Sequence, residues 1–267
     1  MTTLTVDRNA SARRRVGTAT SIGVFIGRSV RHSLRNIDAL TMAIVLPVML
    51  MLMFTYVFGG AIDPGGHYVD YVVPGIIVLC AGFGASSTAV DVNDDMTSGI
   101  VDRFRTMPLQ SRGTITGHVV ASLARNLIAT GIVIGVALAV GFRPTAALGG
   151  WLAAIGIVAL FILAITWLFA GIGLVAGSAA AASGYGFAIL FLPYLSSAFV
   201  PTDTMPSWLR WVAQNQPFTP IVDTLRTLLT GGRLGSDVWL ALGWCVLILV
   251  GAYIWSGWLF ARRAARR

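Results

Sequence analysis

Uncharged apolar runs, broken by short polar stretches, dominate this chain and set the first expectations. A bilayer core of about 30 Å is crossed by about 20 helical residues. Residues 39–62 carry no charge and supply a first span, with Pro47 inside it as a place to bend. After the turn at 63–68, residues 71–90 form a second, with Tyr68 and Tyr71 expected as anchors in the headgroup region. A third is expected at 118–142. From 144 to 202 the chain runs 59 residues without a charge. As one helix this stretch would be about 90 Å long, so it is expected to cross twice. The small-residue segment 177–184 is the expected turn, with spans at 148–176 and 185–200. A sixth span is expected at 238–261.

The polar stretches carry patterns of their own. In 17–37, Ile22, Ile26, Val30, Leu34 and Ile37 share one helical face, and Arg28, Arg31 and Arg35 lie opposite. This is the pattern of a helix lying in the membrane interface with its cations near anionic headgroups, or of an amphipathic helix packed on protein. Between the second and third spans, Met96, Ile100, Phe104 and Met107 form an apolar stripe at spacings of four, four and three. Asp94, Asp95, Asp102, Arg103 and Arg105 surround it, Gly99 lies within it, and Pro108 ends it. Asp94 and Asp95 are expected near the start of this short helix, where the dipole favours anions. Such a helix suits a groove on a partner protein or the lipid surface. Residues 201–237 predict two short helices. One starts at Pro206 and carries Trp208 and Trp211; Pro217 and Pro220 interrupt it, and a second over 221–230 ends at Gly231-Gly232.

Composition sharpens the class. Of 267 residues, 56% are hydrophobic and only 11% charged, against about 25% charged in soluble domains. An integral membrane protein is the reading. All 19 cations are Arg and all 11 anions Asp. With no Lys, a standard phosphate-binding G-x-x-x-x-G-K-[ST] loop is excluded, so any ATP that drives this chain is bound by another polypeptide. Fourteen arginines lie before the first span, in the central loop and at the C-terminus, against Arg143, Arg210, Arg226 and Arg233 on the other face. That bias places both termini and the central loop in the cytoplasm. It also accounts for the net charge of +8 without a nucleic-acid partner. Residues 1–16 are arginine-rich and lack an apolar core, so a cleavable signal peptide is not expected and the first dozen residues are expected to be disordered.

Candidate chemistry is sparse. Cys80 and Cys245 fall in apolar runs and read as small buried hydrophobes. His32, His67 and His118 have no metal-ligand spacing. Within the expected spans there is no Asp or Glu, which counts against an ion-coupled carrier. Arg125 is the one internal charge, and it is expected to snorkel to the cytoplasmic interface. Gly131-x-x-x-Gly135 and Gly173-x-x-x-Gly177 permit close helix packing.

The run from Asp94 to Pro108, with its S-G-x-x-D-R-F-R-x-M-P core from Ser98, resembles the signature segment of ABC-2 type exporter permeases. The likeness is nearest to the daunorubicin-resistance-type drug and lipid exporters. A second likeness is the element Asn215-Gln216-Pro217-Phe218-Thr219-Pro220, preceded by Trp208 and followed by Leu225-Arg226. The resemblance spans essentially the whole chain. It implies an all-α integral membrane fold: six transmembrane helices, an N-terminal interfacial helix, a cytoplasmic coupling helix and short external re-entrant helices. The chain divides accordingly into a tail with the interfacial helix (1–38), the membrane domain (39–261) and a basic tail (262–267).

The resemblance further implies a non-enzymatic permease subunit of the bacterial plasma membrane, paired with a second copy or a sister permease and surrounded by membrane lipids. It binds no cofactor itself; ATP and Mg²⁺ sit on a separate ATP-binding subunit. That subunit would contact the interfacial helix (Ile22, Ile26, Arg28, Arg31, Arg35) and the coupling segment (Asp94, Asp95, Met96, Gly99, Ile100, Asp102, Arg103, Phe104, Arg105, Met107, Pro108). Trp208, Trp211, Asn215, Gln216, Pro217 and Arg226 would belong to an external gate. Export of amphiphilic drugs, antibiotics or lipids is the expected function. The alternatives are export of a lipid-linked glycan on the same fold, a stand-alone carrier or channel, and a non-transporting scaffold or immunity protein.

Overall fold

The computed structural model describes residues 37–63, 65–97, 112–232 and 235–265. Every regular element among them is helical. Helix α1 (Ile37–Leu52) passes through a π-helical turn (Met53–Phe58) into Gly59–Ile62. Then follow α2 (Tyr68–Thr97), α3 (Arg112–Val140), α4 (Leu148–Val175), α5 (Ala179–Leu190), α6 (Ser207–Asn215), α7 (Phe218–Thr230) and α8 (Asp237–Ala265). Among the described residues, five helical segments are long and apolar enough to cross a membrane: Ala43–Ile62, Tyr68–Thr97, Ile115–Val140, Leu148–Val175 and Asp237–Phe260.

The expected span at 185–200 is the main departure. The chain turns over only Ala176, Gly177 and Ser178, and α5 begins at Ala179. Two physical causes act here. Alanine has the highest intrinsic helix propensity, so the run 179–182 folds as helix rather than turn. Ser178 caps it, its Oγ accepting from the Ala181 amide at 3.2 Å. The helix then tightens into a 3₁₀ turn, Leu192–Leu195, containing Pro193. The apolar helix Ala179–Leu195 is thus shorter than the other five, about 26 Å if wholly α-helical against a core of about 30 Å.

Helix α2 is the central pillar. Of its most apolar window 83% is buried, against 17% for Asp237–Phe260. Helices α1, α3, α4, α5 and α7 all pack on it. Its contact with α4 is close because Gly173 faces the Ala89 carbonyl, where a β-carbon would collide with backbone. The two glycine pairs seen in the sequence therefore differ. Among the described residues, Gly131 and Gly135 have nothing within 4 Å of where a β-carbon would sit, and of the second pair Gly173 makes a helix contact while Gly177 does not. Both cysteines are buried.

Candidate functional site

One polar junction of the site sits where α2 ends and α3 begins. Of the expected coupling residues, Asp94, Asp95 and Met96 lie on the last turns of α2. They do not open a separate helix, as the sequence suggested. The apolar periodicity of the second span continues through Val92 and Met96, so the helix runs on to Thr97. A carboxylate at a helix C-terminus meets the negative end of the dipole. For Asp95 this is offset by His118 of α3, whose Nε2 lies 2.8 Å from Oδ2. Met96 is half-buried against the cluster of Val92, Ile115, Val119, Trp167, Ala170 and Leu174. Gly99, Ile100, Asp102, Arg103, Phe104, Arg105, Met107 and Pro108 lie outside the described residues, as do Ile22, Ile26, Arg28, Arg31 and Arg35.

Arg125 corrects a further expectation, because it does not snorkel. Its side chain is 2% exposed and lies between α3 and α2. Nη2 donates to the Gly84 carbonyl at 3.2 Å and to Ser87 Oγ. Nη1 lies 3.9 Å from Asp91 Oδ2. A buried cation needs an opposite charge and hydrogen-bond acceptors, and α2 supplies both. The span expected at 71–90 stops one position short of this carboxylate, because α2 continues to Thr97. A signal was present: Gly84, Ser87, Asp91 and Asp95 are spaced three, four and four on α2, and His118, Ser122 and Arg125 four and three on α3. Two polar stripes at helical spacing face one another along a seam. Nearby, Asn93 Nδ2 donates to the carbonyls of Gly173 and Ala176 at 3.1 and 2.8 Å, tying α2 to the end of α4.

The opposite end of α2 carries a second polar junction. Tyr68 Oη donates to the Phe199 carbonyl at 2.7 Å and Tyr71 Oη to the Ser197 carbonyl at 2.9 Å. These rings therefore hold the 196–200 turn rather than headgroups; Tyr68 is only 3% exposed. Arg226 of α7 completes the junction. Its guanidinium donates to the carbonyls of Tyr71 and Ser197, pairs with Asp223 and lies 3.8 Å from the Tyr71 ring centre. Ser197 Oγ donates to Asp223 Oδ1 at 2.7 Å.

The remaining expected gate residues surround this junction. Trp208 and Trp211 are exposed on α6. Asn215 Nδ2 donates to the Trp211 carbonyl at 2.8 Å and closes that helix, while Gln216 Nε2 donates to the Leu195 carbonyl at 2.6 Å. Pro217 stands immediately before α7. Pro220 does not interrupt a helix; it lies in the first turn of α7, where its missing N–H has no intrahelical acceptor to lose. Gly231 ends α7 in the left-handed conformation at φ 71°. One face of α7, formed by Phe218, Ile221, Val222, Leu225, Leu228 and Leu229, is buried.

The profile of the ABC-2 type transporter family matches residues 20–230. The chain belongs to that family. Among curated proteins it is 31% identical over 204 residues to the daunorubicin resistance ABC transporter permease protein DrrB1 of Streptomyces coeruleorubidus, covering 74% of this chain and 71% of that protein. It is 24% identical over 217 residues, 78% of each chain, to the protein named Probable doxorubicin resistance ABC transporter permease protein DrrC of Mycobacterium tuberculosis. The matched region of this ABC-2 type transporter includes both polar junctions and the α2–α3 connection, and it ends with α7. Within it, α2 ties the two junctions together. The 30-residue helix carries Tyr68 and Tyr71 at one end and Asp91 and Asp95 at the other, about 30–40 Å apart along its axis.

Proposed function

We propose that this chain is the membrane permease subunit of an ATP-driven exporter that moves amphiphilic drugs, antibiotics or lipids out of the cytoplasm or inner leaflet. The observation that carries this reading is its 31% identity, over most of both chains, to a permease named for daunorubicin resistance. The bundle is consistent with it, since the central helix is one of five among the described residues that are long and apolar enough to cross a membrane.

In this reading a separate ATP-binding subunit, which holds ATP and Mg²⁺, docks on the segment between α2 and α3 and on the interfacial helix at 17–37. Phe104 is the central apolar contact of the coupling stripe. The Asp95–His118 and Asp91–Arg125 pairs clamp the two helices that flank this segment. A push on the segment then moves α2 and α3 together instead of splaying them. Because α2 is continuous, its displacement reaches Tyr68 and Tyr71, and through Arg226 it reaches α7 and the 196–200 turn. Helices α6 and α7 act as the external gate of a path formed with a second permease copy or a sister permease. The Ala179–Leu195 segment is the short fifth of six crossings, which leaves both termini in the cytoplasm of a bacterial cell, in accord with the arginine bias.

The test is co-purification. A tagged wild-type chain, solubilised from its own membranes, is expected to bring down a polypeptide bearing the Lys-containing phosphate loop. Phe104→Asp is expected to lose that polypeptide while remaining in the membrane at wild-type level. Retention of the partner at wild-type yield would refute the docking role.

A further inference from the structure

A cavity of about 380 Å³ lies between α3, α4 and α7, with Ile77 of α2 at its back. It is walled by Leu127, Ile134, Ala154, Val158, Leu225 and Leu229, with Trp151 completing the lining on α4. Its size is within the range of about 300–1,000 Å³ found for sites that take small molecules. The polar side chain in the wall is Thr130, whose hydroxyl already points to Cys80 Sγ at 3.9 Å. Gly131 and Ile155, which also line it, are exposed, so they mark its mouth.

The cavity is closed towards the loop that joins α3 to α4. There the amides of Thr145 and Ala146 donate to the Leu229 carbonyl at 3.1 and 3.2 Å, and Thr145 Oγ1 donates to the Thr230 carbonyl. Entry is therefore sideways, between α3 and α4. The surface around the mouth is apolar: Ile128, Ile132 and Leu152 are 50%, 43% and 62% exposed. Both helices are of membrane-crossing length and composition, so the medium at this mouth is hydrocarbon.

We infer that this cavity is a lipid site that takes one acyl chain of a bilayer phospholipid from the side. A linear hydrocarbon matches the aliphatic wall and the lateral entry, and it asks for no polar partner. The headgroup stays outside, at the level of Trp151, an indole suited to the interface. The inserted chain lies on Leu225 and Leu229, on the helix that also carries Arg226. It thereby fills the space into which α7 would otherwise tilt. This inference is independent of the proposed transport activity, because it rests on the cavity and on the membrane alone.

The experiment uses the purified full chain in phosphatidylcholine–phosphatidylglycerol vesicles doped with a phospholipid that carries a diazirine midway along one acyl chain. After illumination, adducts are mapped by peptide mass spectrometry. Labelling at 127–134 and 151–158 is expected to exceed that around the exposed Leu247 and Ile254 of α8 by about tenfold, the ratio that about 1.4 kcal/mol of preference produces. Gly131→Phe, at a position with open space around its β-carbon, is expected to bring the two regions to parity. Ile155→Trp fills the mouth from the other side and should do the same, while Leu247→Phe should change nothing. Equal labelling of all exposed faces in the wild-type protein would overturn the assignment. So would cavity labelling that survives both filling variants, or that daunorubicin competes away, since the last would make the cavity a drug site.

Discussion

The Arg125–Asp91 pair offers the sharpest energetic test of how α2 and α3 are held together. At 3.9 Å, and with an effective dielectric of about 20, the two charges attract by roughly 4 kcal/mol. The partners are unequally buried: Arg125 is 2% exposed and Asp91 21%. Arg125→Met leaves a carboxylate that water can still reach, so its loss is expected at the low end, about 2 kcal/mol. Asp91→Asn leaves a buried guanidinium that keeps the Gly84 carbonyl and Ser87 Oγ but loses its counter-charge, and is expected to cost about 3–4 kcal/mol. The double variant removes both charges and retains packing volume. It should be more stable than Asp91→Asn alone, losing about 2–3 kcal/mol in all, which corresponds to a coupling of about 3 kcal/mol. The assay is reversible unfolding by SDS from mild detergent, followed by tryptophan fluorescence, for all four proteins of the cycle. Losses that add in the double variant to within about 0.5 kcal/mol would show that the charges do not interact, and the clamp would lose its physical basis.

Three further outcomes follow from contacts elsewhere. Gly173→Ala drives a methyl group into the Ala89 carbonyl and should destabilise by about 1–3 kcal/mol. Gly131→Ala meets nothing and should gain up to about 1 kcal/mol in helix propensity; the same unfolding assay reads both, and equal effects would contradict the packing described. Arg226→Met should cost about 2–3 kcal/mol through lost charge-assisted bonds, and amide exchange at 196–200 should rise with it; unchanged exchange there would place the hold on the turn elsewhere. Pro217→Ala, just before α7, should lower export without lowering the amount of protein in the membrane, whereas wild-type export would reduce that proline to a packing role.

The apolar architecture was legible in the sequence because membrane crossing demands long uncharged runs, and 148–176 is one that the structure turns into α4 almost unchanged. Boundaries set by local chemistry were harder to read. The run 177–184 looked like a turn through its small residues, yet four alanines behind a serine cap make a helix start. Pairing across the bundle could not be read from one chain. Tyr68 and Tyr71 meet partners 131 and 126 residues away, and an aromatic residue at a span end has the same sequence signature whether it faces a headgroup or a carbonyl. Arg125 reads as a lone charge in the sequence because its counter-charge, Asp91, lies one residue beyond the expected second span. Arg226 stands in a sequence motif, but its contacts with Tyr71 and Ser197 arise only from the fold.

Transport itself is the most direct test of the account. Inside-out vesicles from cells that make the complete complex would be incubated in fluorescent daunorubicin, with and without ATP in the medium. ATP-dependent accumulation is predicted, blocked by vanadate and absent in Phe104→Asp. Accumulation that ignores ATP and vanadate but collapses with the proton or sodium gradient would contradict it, and would make this chain a carrier that works alone.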